Sequence, residues 1–283
     1  MDAASFLAGS GKERIGRFQA QRKLAAGNPA SEEAVHDLRV SIRRLLAWIA
    51  AWKNLVGPDP GLEDASRSLK KLMTPLGRLR DAHVKRDGLR KLVPAGDTPS
   101  YLYAVSVASD VLRRERAVRR LLRESWPSRI RVAVPGKGDA RGTGGDVASG
   151  ARRLLAGSAR EVARHRADSL DPGNPEALHR MRLAFKKYRY SWEVFAPLLP
   201  DAGDAVAERL HAFQTLLGTI HDCDVVLAEA RRFMRDLPGY RGKSTVEAAF
   251  GRLRKETFRE FRRIAGTARG LAEILHIGIP APR

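Results

Sequence analysis

Two decapeptides in this chain carry the same side-chain chemistry at the same spacing. His36 is followed by Arg39 and then by the pair Arg43-Arg44; His179 is followed by Arg182 and then by Lys186-Lys187. Offsets of three, seven and eight residues place His36, Arg39 and Arg43 on one stripe of a helix, with Arg44 beside it. The apolar residues Val35, Leu38, Ile42, Leu45 and Ile49 take the opposite stripe. A row of permanent cations around one imidazole is poorly suited to nucleophilic attack. It is well suited to holding oxyanions, because the planar guanidinium fork grips phosphate or carboxylate through two parallel hydrogen bonds. Arg17 and Arg160 on the preceding helices, and Arg113 and Arg254 on the last helix of each half, would extend the row.

Other chemistries fit less well. His221-Asp222-Cys223-Asp224 resembles the His-Asp pair of metal-dependent phosphohydrolases. Such sites need further ligands converging on one ion. In the repeat described below, the matching residues are Arg80-Asp81, so the aspartate is the shared element and the histidine is not. Asp81 and Asp222 are therefore expected to orient neighbouring Arg or Lys side chains. Cations around His36 and His179 would repel a metal, so no metal and no cofactor is expected. The sequence contains neither a Gly-rich phosphate loop of the Walker type nor a Ser/His/Asp set, and it is expected not to be an enzyme.

Charge points the same way. The 283 residues hold 52 Lys+Arg against 32 Asp+Glu, a formal net charge of +20. The plain reading of such a balance is a solvated surface, but this magnitude favours a polyanionic partner: nucleic acid, polyphosphate or an anionic membrane surface. Nucleic acid lacks a reading motif here, and aromatic residues make up only 6%. Tyr188 and Trp192 lie on an apolar stripe and read as core rather than as base-stacking platforms. Nucleic acid is thus expected to bind only non-specifically. A single cysteine, Cys223, excludes an intramolecular disulfide. No apolar run is long enough to cross a bilayer, and the N-terminus has no secretory pattern. The expectation is a cytoplasmic protein without membrane insertion.

Helical periodicity dominates the elements that must position these residues. Helices are expected over 5–26, 31–56, 62–93 with a kink or break at Pro75, 100–125, 146–168, 175–196, 201–237 and 244–275, with a frayed tail over 277–283. A Gly/Pro-rich stretch at 126–146, with a brief strand-like alternation over 129–134, reads as a linker between halves 1–125 and 147–283. The halves repeat. At an offset of 143, Arg17 meets Arg160, His36 meets His179, and Arg39 meets Arg182. At 141, Leu76-Gly77-x-x-Arg80-Asp81 meets Leu217-Gly218-x-x-His221-Asp222, and Arg113 meets Arg254. Four landmarks in one order indicate an all-α fold of two four-helix bundles related by a pseudo-twofold. Gly77 and Gly218, costly inside a helix by about 1 kcal/mol, suggest a close helix crossing.

These residues resemble the CHAD family, the conserved histidine α-helical domain. The likeness rests on His36-x-x-Arg39-x-x-x-Arg43-Arg44 with Leu76-Gly77-x-x-Arg80-Asp81. In the second half it rests on His179-x-x-Arg182-x-x-x-Lys186-Lys187-x-Arg189-Tyr190 with Leu217-Gly218-x-x-His221-Asp222. The resemblance implies two four-helix bundles with a basic groove or cavity where they meet. It implies binding of inorganic polyphosphate without catalysis, association with polyphosphate granules, and a site that includes Arg189 and Tyr190. A triphosphate-tunnel enzyme, to which members are frequently fused, would be a separate partner here, as would other polyphosphate-metabolising enzymes. Three departures make the halves unequal: His221 stands where Arg80 does, Leu46-Ala47 replaces Arg189-Tyr190, and Pro75 occurs only in the first half.

Overall fold

The computed structural model describes residues 2–28, 31–93, 96–125, 146–199, 202–238, 240, 242 and 244–275. Ten α-helices and no strand occur among them: α1 Ala3–Gly27, α2 Glu32–Leu55, α3 Pro60–Leu92, α4 Thr98–Arg120, α5 Val147–Arg164, α6 Arg166–Ser169, α7 Pro175–Phe195, α8 Asp204–Arg235, α9 Thr245–Ala265 and α10 Ala268–Leu275. The linker over 126–145, its strand-like alternation and the 277–283 tail lie outside the described residues.

Local chemistry sets the helix starts. Asp2, Ser31, Asp59, Asp97, Asp146 and Asn174 each accept a hydrogen bond from a backbone N–H three residues on, which satisfies one donor the helix itself leaves open. Ser244 and Glu247 form a reciprocal capping box at α9. After α2, Gly57 turns at a φ of +132°, a conformation that a Cβ resists.

Three expectations about continuity are corrected. α3 runs unbroken through Pro75; proline removes one hydrogen bond, and a 33-residue helix held along its apolar side by Leu69, Leu72, Leu76 and Leu79 tolerates that loss. Conversely, the expected last helix is two. Gly266 ends α9, and a Cβ at Gly266 or Gly270 would collide with the backbone carbonyls of Arg262 or Ile264. The segment expected over 146–168 also divides, between α5 and α6 at His165.

The chain forms two compact units: Met1–Asp81 with Val111–Leu154 and Tyr190–Pro200, and Ala82–Asp110 with Leu155–Arg189 and Asp201–Arg283. Each draws on both sequence halves, so the compact units and the repeat divide the chain differently. In the first, α1 packs on α2. Trp48 is fully buried and donates its indole N–H to the Leu7 carbonyl at 2.8 Å. A Cβ at Gly11 would collide with that indole ring, which makes Gly11 the place of closest approach. The close crossing expected at Gly77 and Gly218 is absent. No described atom lies within 4 Å of a Cβ built at Gly218, and at Gly77 the nearest is Arg39 Nη2 at 3.9 Å. In the second unit, a chain of ring contacts runs from Phe185 through Phe213 and Phe261 to Phe258. A further cluster joins Leu89, Tyr103 and Val107 to Cys223, Val226, Leu227 and Phe250.

Candidate anion-binding site

In the first unit, burial of Val35, Leu38, Ile42, Leu45 and Ile49 fixes the rotation of α2 and so brings His36 and Arg39, with Arg43 beside them, to Gly77, Arg80 and Asp81 of α3. Arg39 lies deepest. Only 8% of it is exposed, and its Nε finds no hydrogen-bond partner among the described residues. Burial lowers its pKa to about 10; Arg43 and Arg80 add to that, while Asp81 and Tyr190 oppose it. Arg80 comes from α3 and lies 3.7 Å from the Glu32 carboxylate. The imidazole of His36 is held below its ordinary pKa by partial shielding of the ring and by Arg80, Arg39 and Arg43, against Asp37. Arg39, Arg43 and Arg80 are thus drawn together, with the carboxylates of Glu32, Asp37 and Asp81 beside them. Burial and mutual repulsion make such a group of cations costly for the folded chain.

In the second unit, α7 presents His179, Arg182 and Lys186, and α8 presents His221. The two imidazoles touch: Nδ1 of His179 lies 3.2 Å from Nδ1 of His221, with ring centroids 4.5 Å apart and planes inclined by 35°. Burial, Arg182, the neighbouring ring and Lys186 push His221 down to about 4. Burial, Arg182 and Lys186 lower His179 as well. At neutral pH both rings are therefore uncharged. The Nε of Arg182 is buried, as that of Arg39 is.

The remaining residues singled out by the sequence fall into different places. Arg17 is exposed and pairs with Glu13 one turn away at 2.9 Å. Arg44 pairs with Glu193 at 2.7 Å. Both face a separate pocket of about 320 Å³ between α1 and α2, shared with Arg14, Gln21, Asp37, Val40 and Ser41. Arg44, beside the stripe in the sequence, thus belongs to a neighbouring face of α2. Arg14, which pattern reading missed, donates to the Ser10 and Glu193 carbonyls. Arg113, Arg160 and Lys187 are exposed on α4, α5 and α7. Arg189 is half-buried, and Tyr190 is buried and acts electrostatically on Arg39. Arg254 is engaged elsewhere: its Nε donates to the Asp224 carboxylate and its Nη2 to the Pro172 carbonyl at 2.9 Å. Asp222 is half-buried beside His221 on α8. Pattern reading also left His221 outside the site, although its exchange with Arg80 across the repeat was the available signal.

No group of three or more His, Cys, Asp or Glu side chains able to hold a metal occurs among the described residues. Cys223 is buried, and burial with Asp222 and Asp224 pushes its thiol up to about 12, which leaves it an inert core residue. No described helix is long and apolar enough to cross a membrane.

Comparison with known proteins adds to this geometry. The CHAD domain profile matches residues 11–231. Among solved structures, the chain is similar to the CHAD domain from the plant Ricinus communis, with 19% identity, coverage of 100% of this chain and 96% of that one, and a TM-score of 0.65. It is also similar to PptA from Streptomyces chartreusis, with 16% identity, coverage of 98% and 100%, and a TM-score of 0.58. No curated protein matches the sequence.

Proposed function

The chain belongs to the CHAD domain family, and on that footing we propose that it binds inorganic polyphosphate and does not catalyse its turnover. The observation that carries this reading is Arg39. A guanidinium held nine-tenths inside the protein, its Nε unpartnered among the described residues and further cations around it, is costly for the free protein. A phosphate oxygen supplies both the missing acceptor and the missing charge. His179, Arg182 and Lys186 offer a second set of donors of the same kind. Polyphosphate presents only oxygen acceptors and a regular line of charge, so rigid helices bearing Arg and Lys recognise it with no base to read. The function belongs to a cytoplasmic protein located at polyphosphate granules and working beside separate polyphosphate-metabolising enzymes.

Competition between long-chain polyphosphate and duplex DNA tests the reading. Polyphosphate is expected to displace DNA at moderate salt, with an affinity that falls steeply as salt rises. The double variant Arg39→Ala, Arg182→Ala is expected to lose polyphosphate affinity while keeping its helical content. DNA binding that survives excess polyphosphate would overturn the proposal in favour of a nucleic-acid-binding protein.

A further inference from the structure

The two copies of the motif differ at one position that bears directly on the charge of the site. Where the first carries Arg80, the second carries His221, and that ring lies against His179. We infer that His179 and His221 form a proton-gated phosphate subsite: the pair is neutral in the free protein and takes up one proton from solvent as a phosphate oxygen enters, which turns an imidazole into a charged donor to that oxygen. This inference rests on the polyphosphate reading above.

The geometry limits the pair to one proton. With Nδ1 atoms 3.2 Å apart and centroids 4.5 Å apart, two imidazolium rings would repel each other at contact. The charged and titratable groups that act on the pair are Arg182 and Lys186 from α7, which act on both rings, and His179, which acts on His221. All disfavour a proton in the absence of an anion, and burial does so too. A phosphate drawn in by Arg182 and Lys186 reverses that balance. It neutralises the two cations and adds negative charge beside the rings, so the protonated form becomes the favoured one. The N–H bond gained is charge-assisted and shorter than a neutral one. Binding therefore couples to proton uptake, and affinity rises as pH falls. The window opens at about 4, where free His221 titrates, and closes at the higher value the ring takes in the complex. One proton per binding event corresponds to as much as about a tenfold change in affinity per pH unit within that window. The first copy lacks this device, because an arginine, Arg80, stands in place of the second imidazole.

Isothermal titration of the full chain with long-chain polyphosphate tests the inference, at fixed salt and pH 5, inside the proton-uptake window, in buffers of different ionisation enthalpy. The wild-type protein is expected to take up protons on binding. His221→Arg, which copies the first half, and His221→Gln should both bind with less proton uptake and a flatter dependence of affinity on pH. His36→Gln, made in each background, removes the contribution of the other motif histidine. Uptake unchanged in both His221 variants while they still bind overturns the gate and leaves polyphosphate binding standing. A second measurement separates the remaining case. The NMR titration of the His221 ring with and without pyrophosphate is expected to show its pKa rising by at least one unit when the anion is present. If wild-type protein binds no polyphosphate yet pyrophosphate raises that pKa, the subsite holds and the polyphosphate reading fails. No binding and no shift overturns both.

Discussion

At position 80 the first half of the chain carries arginine, and at the matching position 221 the second half carries histidine. Around that exchange the two clusters have diverged. The first concentrates fixed charge: Arg39 is buried with Arg43 and Arg80 acting on it, and His36 is a minor, exposed member. The second has one fixed cation fewer (Arg182 and Lys186) and puts two imidazoles in contact. Duplication supplied both with one anion-holding stripe on an amphipathic helix. On the proposed reading, the residue at this one position sets how strongly anion binding depends on pH in each copy.

The largest expected effect separates the two motif arginines. Arg39→Met and Arg182→Met should each weaken polyphosphate binding by about 2–3 kcal/mol, on the order of a hundredfold at the upper end, because each removes a desolvated charge facing the anion. Their side effects should differ. Without ligand, Arg39→Met removes a buried donor with no acceptor and should raise Tm, by about 1 kcal/mol or more in stability. Arg182→Met should instead raise the pKa of His221, since Arg182 is the strongest charge holding that ring neutral. Thermal melts and ring titration read the two outcomes separately. A lower Tm for Arg39→Met would show that the first cluster is not poised against itself.

Next is the pair Arg113 and Arg254, matched in the repeat but unlike in place. Arg254 and its partner Asp224 are only 19% and 18% exposed in their side chains, and the second carboxylate oxygen of Asp224 is buried without a described partner. Arg254→Ala should cost about 1.5 kcal/mol in stability and leave polyphosphate affinity within about twofold. Arg113→Ala, at an exposed site, should change stability by no more than about 0.5 kcal/mol. Denaturant unfolding and binding isotherms on both variants check this. A large affinity loss for Arg254→Ala would return that residue to the binding row.

These pairs show what the sequence made legible. Helix type, most boundaries and the apolar stripe of α2 follow from a 3.6-residue period and from capping residues, which are local signals. His36 and Arg39 shared a stripe for the same reason. That Arg44, beside the stripe, turns to α1 and Glu193 depends on where those groups fall, and that is a tertiary fact. The diversion of Arg254 to Asp224 and Pro172 links residues 30 and 82 positions apart, beyond any periodic pattern. The His179–His221 contact joins two helices whose register no local rule fixes.

Acid stability tests the protonation half of the comparison. The His221 pKa is about 4 in the folded protein, against an ordinary value of about 6.5 in the unfolded chain. Between those values the unfolded chain binds a proton that the folded one refuses. Stability is therefore present above pH 6.5 and is lost as pH falls toward 4. His36 and His179, also lowered, add to the loss with the same sign. His221→Gln should flatten the fall in Tm over this window more than His36→Gln does, and polyphosphate should restore part of the wild-type Tm at pH 5. Equal flattening by both variants would mean that the two clusters titrate alike.

The smallest effects should come from the two glycines, and they distinguish spare room from a packed crossing. Gly77 and Gly218 occupy matching positions inside α3 and α8. A methyl group at Gly218 meets nothing described within 4 Å, and at Gly77 it meets only Arg39 Nη2 at an ordinary 3.9 Å. Alanine at either site should therefore stabilise the helix by about 0.4–1 kcal/mol, since it restricts the unfolded chain without a clash. Binding should separate them. At Gly77 the methyl lies against the guanidinium that faces the anion, so polyphosphate affinity should drop by about twofold, whereas Gly218→Ala should leave it unchanged at a given pH. Should either alanine lower Tm instead, another helix must approach that glycine closely. The open space at the two glycines would then no longer be common to both copies.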